Sequence, residues 1–208
     1  MSRISKNVNI PYTELNYYRY ALCKKIAITN ILLQNTKYLH NIDTIYDVMA
    51  GVGISGKIFL KYFPNSTIFL NDISKECVNV LCSIPQFINK QIQITNQDCF
   101  SLELPKVVDL IFIDYNSFTC NECSKVAKER IYQLKQWLVK NKSKLNWVLI
   151  SDTYVFSLKF QKDKTNNSQK FSDYKLKFEK VLTLKIIAVS CYKNNDCCLF
   201  LCKINEFV

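Results

Sequence analysis

A chain of 208 residues with 49% apolar, 22% charged and 13% aromatic side chains has the make-up of one folded domain, which excludes a disordered or fibrous chain. Its 28 Lys and Arg against 17 Asp and Glu give a formal net charge of +11, so acidic partners such as nucleic acid enter consideration. Only Arg3, Arg19 and Arg130 are arginines, so the charge permits phosphate binding without the guanidinium forks that phosphate sites favour.

Residues 1–40 read as mostly helical, with Leu15, Tyr18, Leu22, Ile26, Ile28 and Leu32 recurring at three- and four-residue intervals. The period then changes. Thr44–Ala50 reads as a buried strand, Ile54–Phe63 as a helix stopped by Pro64, and Ser66–Leu70 as a second strand. Ser74 is placed to cap a further helix that Pro85 closes. Strands are expected at Gln91–Thr95 and Val107–Asp114, a helix at Glu122–Lys142, and a strand at Trp147–Val155. The polar block Gln161–Lys170 reads as a loop, followed by a short helix around Asp173–Glu179. Two apolar runs, Leu182–Tyr192 and Asp196–Ile204, are joined by Lys193-Asn194-Asn195, which suits a hairpin turn. Five alternations of strand and helix followed by an antiparallel pair predict an α/β fold: a doubly wound, seven-stranded, mostly parallel sheet with a C-terminal antiparallel hairpin, preceded by N-terminal helices. The expected division is a helical cover over 1–41 and one globular unit over 42–208.

No apolar run approaches the roughly 20 residues of a membrane-spanning helix, and the N-terminus shows no secretory leader. The ten cysteines are then expected as reduced thiols in a cytoplasmic setting. Cys120-Asn-Glu-Cys123 has the spacing of half a zinc site. Its second half is missing, because Cys198 and Cys202 fall on one face of an apolar strand as small hydrophobes, so no metal is expected.

The three glycines choose the site. Gly51, Gly53 and Gly56 all lie in the loop between the first strand and its helix, while every other turn manages without glycine. Such a loop lets a ligand or a helix approach bare backbone. Gly51-Val-Gly53-Ile-Ser-Gly56 also fits the dinucleotide pattern, with Asp72 where a ribose-binding acid belongs. Asp47 at the strand end and the terminal hairpin argue against a dinucleotide.

Asp47-Val-Met-Ala50-Gly51-Val-Gly53 resembles the glycine signature of class I S-adenosylmethionine-dependent methyltransferases, and Phe69-Leu-Asn-Asp72 resembles that family's acid after the second strand. Asn96-Gln-Asp98-Cys99 is similar to its adenine-contacting segment, Asp109–Asp114 to its fourth strand, and the hairpin to its sixth and seventh. The resemblance spans about residues 42 to 204. It implies S-adenosyl-L-methionine as cofactor. Asp47 would receive the ammonium, with Ala50, Gly51 and Gly53 approaching the methionine part; Asp72 would accept from the ribose hydroxyls. Ile73, Asp98 and Cys99 would contact adenine, the lesser alternative for Asp98 being a solvated strand-end carboxylate or a cap.

Asp114-Tyr115-Asn116 occupies the place where this family positions the methyl acceptor, so these three are the candidate catalytic residues. The segment lacks the proline pair of amino-directed DNA methyltransferases, and no Pro-Cys nucleophile occurs anywhere in the chain. Net charge, the tyrosines before the core and the lysine-rich segment 159–180 favour RNA or DNA as acceptor. A small molecule, a protein side chain, or a non-catalytic cofactor-binding or nucleic-acid-binding module remain alternatives. His40, the single histidine, falls in a polar turn and is given no role.

Overall fold

The computed structural model describes residues 14–88, 91–104, 107–114, 124–152, 175–176, 178–180, 182–191 and 198–204. Seven strands, β1 (Thr44–Asp47), β2 (Thr67–Asn71), β3 (Ile92–Thr95), β4 (Val108–Ile113), β5 (Leu145–Asp152), β6 (Leu184–Cys191) and β7 (Cys198–Ile204), form one sheet in the order β3-β2-β1-β4-β5-β7-β6. Strands β1 to β5 pair in parallel, and β7 runs antiparallel to both β5 and β6. The expected doubly wound sheet with its closing hairpin is the sheet observed, although the turn at 193–195 lies outside the described residues.

Helices α1 (Glu14–Gln34), α2 (Ile54–Tyr62), α3 (Lys75–Ser83) and α4 (Ser124–Lys140) cover the sheet. Central strands alternate their apolar residues between two cores, as a strand covered on both faces must. Ile45, Phe112 and Leu149 face α1, α2 and α3. Tyr46, Ile111 and Ile150 face α4 and the segment carrying Phe178 and Leu182. Phe59 of α2, fully buried, meets Phe112 edge-on with ring centroids 5.6 Å apart, an arrangement aromatic quadrupoles favour.

Several boundaries differ from expectation for local reasons. The first strand stops at Asp47 because Val48 to Ala50 already turn into the glycine loop. Among the described side chains of α1, Lys24, Ala27, Ile28, Ile31 and Leu32 are buried, which includes the expected Ile28 and Leu32, whereas Leu22 is 53% exposed. Ser74 caps α3 as expected, its Oγ accepting from the Cys77 N–H at 3.2 Å. The thiol of Cys202 is buried in the sheet core, where burial pushes its pKa up, while Cys120 and Cys123 lie outside the described residues. Among the described residues no helix is long and apolar enough to cross a membrane. His40 is exposed.

Candidate active site

Parallel topology brings the C-terminal ends of β1, β2, β4 and β5 to one edge, with β1 and β4 adjacent at the centre. Chain order reverses there, which opens a crevice for a ligand. Asp47 ends β1, in register with Leu70 of β2 and Phe112 of β4. It is fully buried. One carboxylate oxygen, Oδ2, accepts a hydrogen bond from Ser55 Oγ at the start of α2, while Oδ1 is buried without a partner. Loss of hydration pushes the Asp47 pKa up to about 7, with Asp114 adding to the rise and Lys24, Ser55 and the Met49 backbone opposing it. A buried acceptor of this kind costs stability until a donor reaches it, and a cationic donor satisfies it best.

The glycines beside it divide into two roles. Gly51 takes φ +55°, and the Cβ it lacks would meet nothing within 4 Å, so the space beside it is open. Gly53 takes φ +84°, and a Cβ there would lie 2.6 Å from Phe87 and 2.9 Å from Leu81. Both of those side chains are buried and packed. Gly56 likewise abuts Leu70 and Phe87 at 3.0 Å. Gly53 and Gly56 therefore let α2 approach α3 and β2, and only Gly51 borders open space. Gly53→Ala should cost about 2–5 kcal/mol in urea denaturation, from backbone strain and overpacking together. Gly51→Ala should cost only the backbone part, about 1–2 kcal/mol. Equal losses at the two positions would contradict this division.

Asp72 follows β2 and holds the loop from the other side. Its Oδ2 accepts from the Gly51 N–H at 2.8 Å and its Oδ1 from the Ser74 N–H at 2.8 Å. Each oxygen keeps a further lone pair for a ligand hydroxyl. Ile73 beside it is 66% exposed, an apolar surface left in solvent at the crevice edge. Asn71, missed in the sequence reading, stitches three strand ends: its Nδ2 donates to the carbonyls of Val48 and Gln97, and its Oδ1 accepts from Thr95 Oγ1. Ala50 is buried, its N–H bonded to the Asn71 carbonyl at 2.8 Å.

Asp98 is exposed and accepts from the Phe100 N–H at 3.1 Å, capping the short turn Cys99–Ser101. Burial, reinforced by Asp98, pushes the Cys99 thiol up to about 12, so it stays protonated and is no nucleophile at neutral pH.

Asp114 follows β4, and its side chain is 9% exposed. Its Oδ2 forms an ion pair with Lys24 of α1, and its Oδ1 accepts from Ser151 Oγ of β5 at 2.6 Å. Lys24 is itself 4% exposed, with its ammonium 5.4 Å from the Phe112 ring centroid. The sequence reading gave Lys24 and Ser151 no role. A lysine in line with the apolar stripe of α1 was the available signal. Tyr115 and Asn116 lie outside the described residues.

No protein-family model and no curated protein matches the chain by sequence. Solved structures do match it. An S-adenosylmethionine-dependent methyltransferase from Clostridium acetobutylicum superposes with a TM-score of 0.60 at 13% identity over 91% of this chain and 99% of that one. The pyocyanin biosynthetic protein PhzM gives 0.61 at 9% identity over 93% of this chain. The 16S rRNA methyltransferase RmtF, solved with S-adenosyl-L-homocysteine, gives 0.56 at 12% over 91%. This chain spans only 59% of PhzM and 65% of RmtF. With the strand order and the loop between β1 and α2, these matches show that the chain has the class I S-adenosylmethionine-dependent methyltransferase fold.

Proposed function

We propose that this chain is a methyltransferase that binds S-adenosyl-L-methionine at the crevice of β1, β2 and β4 and transfers its methyl group to a nucleic-acid acceptor, RNA or DNA. The observation that carries the reading is the buried, unpartnered Oδ1 of Asp47 beside the open face of Gly51. An amino group of the ligand would complete that carboxylate. Asp72 would hold the ribose hydroxyls on its remaining lone pairs, and Ile73 would cover a face of adenine. Asp98 and the Cys99 backbone would border the base. When bound, the cofactor supplies an electrophilic methyl group on a positively charged sulfur. Transfer then needs mainly alignment of an acceptor, for which the chain offers Asp114, Tyr115 and Asn116. The net charge of +11 and the likeness to an rRNA methyltransferase support a nucleic-acid acceptor.

A second reading, a cofactor-binding module without transfer, is favoured by one feature: both oxygens of Asp114 are engaged by Lys24 and Ser151. Incubation with methyl-labelled cofactor and separate pools of RNA, DNA, protein and metabolites distinguishes the readings. Label in RNA or DNA supports the proposal, label in protein or metabolites alone replaces its acceptor, and binding without label in any pool supports the module. Asp72→Ala should weaken S-adenosyl-L-homocysteine binding in calorimetry by about 1.5–3 kcal/mol. An unchanged affinity would remove Asp72 from the site.

A further inference from the structure

The opposite edge of the sheet carries a feature that the crevice does not explain. A cleft of about 480 Å³ opens there, lined among others by Asn41, Asp109, Lys142, Asn146, Trp147 and Lys203. Trp147 lies five residues before the end of β5, roughly 17 Å from the crevice edge at strand rise. Register places Lys203 of β7 opposite Lys185 of β6. One step beyond the pair Val148 and Cys202, the same register sets Trp147 opposite Lys203. Trp147, Lys203 and Lys185 thus form a row on one face of three neighbouring strands.

Two exposed lysines directly opposite each other destabilise a sheet. Among the described residues no carboxylate forms an ion pair with either. The ammonium of Lys203 nevertheless belongs to a row of aromatic contacts. Lys203 Nζ lies 5.0 Å from the Trp147 ring centroid, Trp147 lies 5.4 Å from Tyr38, and Lys37 Nζ lies 4.7 Å from the Tyr38 centroid. Aromatic faces hold cations in this way. The cleft acid Asp109 is occupied: Oδ2 accepts from the N–H groups of Asp43 and Thr44 at 3.1 and 3.0 Å, and Oδ1 from Asn146 Nδ2 at 2.9 Å. Lys37, Lys142, Lys185 and Lys203 outnumber Asp109 and the exposed Asp43, so the surface is positive.

We propose that this cleft and lysine row bind a segment of single-stranded nucleic acid, apart from the cofactor crevice. Phosphates would lie along Lys203 and Lys185, and unpaired bases would enter the cleft beside Trp147, which Tyr38 adjoins, where Asn41 and Asn146 offer hydrogen bonds. A positive groove interleaved with aromatics is the surface that single strands require. A duplex, with its bases paired and its phosphates convex, does not fit a concavity of this size. The proposal goes beyond the transfer reading and stands without it.

The test is fluorescence anisotropy of a labelled 15-nucleotide oligouridylate with the full chain over a range of salt concentrations. Lys185→Ala/Lys203→Ala should weaken binding at least tenfold and lower the salt slope by about 1.4, since each phosphate contact on a single strand contributes about 0.7. Lys25→Ala/Lys61→Ala removes the same charge from exposed positions elsewhere and should change affinity less than threefold. Equal losses in the two double variants, wild-type binding by Lys185→Ala/Lys203→Ala, or tighter binding of a blunt duplex of the same length would each overturn the proposal. Calorimetry with S-adenosyl-L-homocysteine on the same preparations reads the crevice separately. Retained cofactor binding with lost oligonucleotide binding supports a distinct surface, whereas joint loss with a disturbed circular dichroism spectrum would overturn it.

Discussion

Lys24→Met should cost about 3–5 kcal/mol of folding free energy at pH 8, the usual result of removing one partner from a buried ion pair. Lys24 and Asp114 are both nearly excluded from solvent, and the pair joins α1 to the end of β4 across 90 positions of sequence. Removing the ammonium leaves the Asp114 carboxylate beside Asp47, whose ionisation it opposes, in one buried site. Protonation can relieve that repulsion, so the cost should shrink between pH 8 and pH 5. Lys24→Met/Asp114→Asn keeps an acceptor for Ser151 while removing the stranded charge, and it should recover more than half of the lost stability. Urea denaturation of the three proteins at both pH values measures this. A cost below about 1 kcal/mol for Lys24→Met at pH 8 would show that the pair is solvated in solution and contributes as little as a surface bridge.

The same pair shows where sequence reading stops. Period-two and longer apolar runs place β1 to β5, since a strand buried on both faces needs them. The clustering of three glycines marks the loop because a positive φ and a missing Cβ are local demands. Asp47, Asp72 and Asp114 are legible as strand-end acids, since the topology sets all such positions at one edge. What each acid contacts is another matter. The pairing of Lys24 with Asp114 depends on how α1 lies over the sheet, and one lysine among 25 carries no mark of its partner. Gly53, which the resemblance sets against the methionine part, and Gly56 leave a space that Leu70, Leu81 and Phe87 fill. Phe87 comes from a short turn after Pro85, in chain distant from the loop, and no spacing rule connects the two. Asn71 stands next to Asp72 in the sequence, but its partners, Val48 and Ala50 after β1 and Thr95 and Gln97 at the end of β3, are brought to it only by the fold.

Asp47→Asn should separate stability from binding more sharply than any other substitution. In the folded chain the Asp47 pKa stands at about 7, while the unfolded carboxyl titrates near its ordinary 3.8. The folded state therefore holds its proton more tightly. Below about pH 4 both states are protonated and nothing is lost. Between about pH 4 and 7 the unfolded state releases its proton first, and stability falls with rising pH by a total of about 4 kcal/mol. Asn has nearly the same shape, can still accept from Ser55 and does not titrate, so the variant should lack that part of the pH dependence. Binding should respond in the opposite sense. An ammonium pairs with ionised Asp47, so affinity for S-adenosyl-L-homocysteine should drop about tenfold for each pH unit below 7 in the wild type. In Asp47→Asn affinity should be at least a hundredfold weaker at pH 8, with that slope gone. Denaturation and calorimetry across pH 5 to 8 on both proteins measure the two effects. A binding slope that survives the substitution would assign the titration to another group, and with it the ammonium.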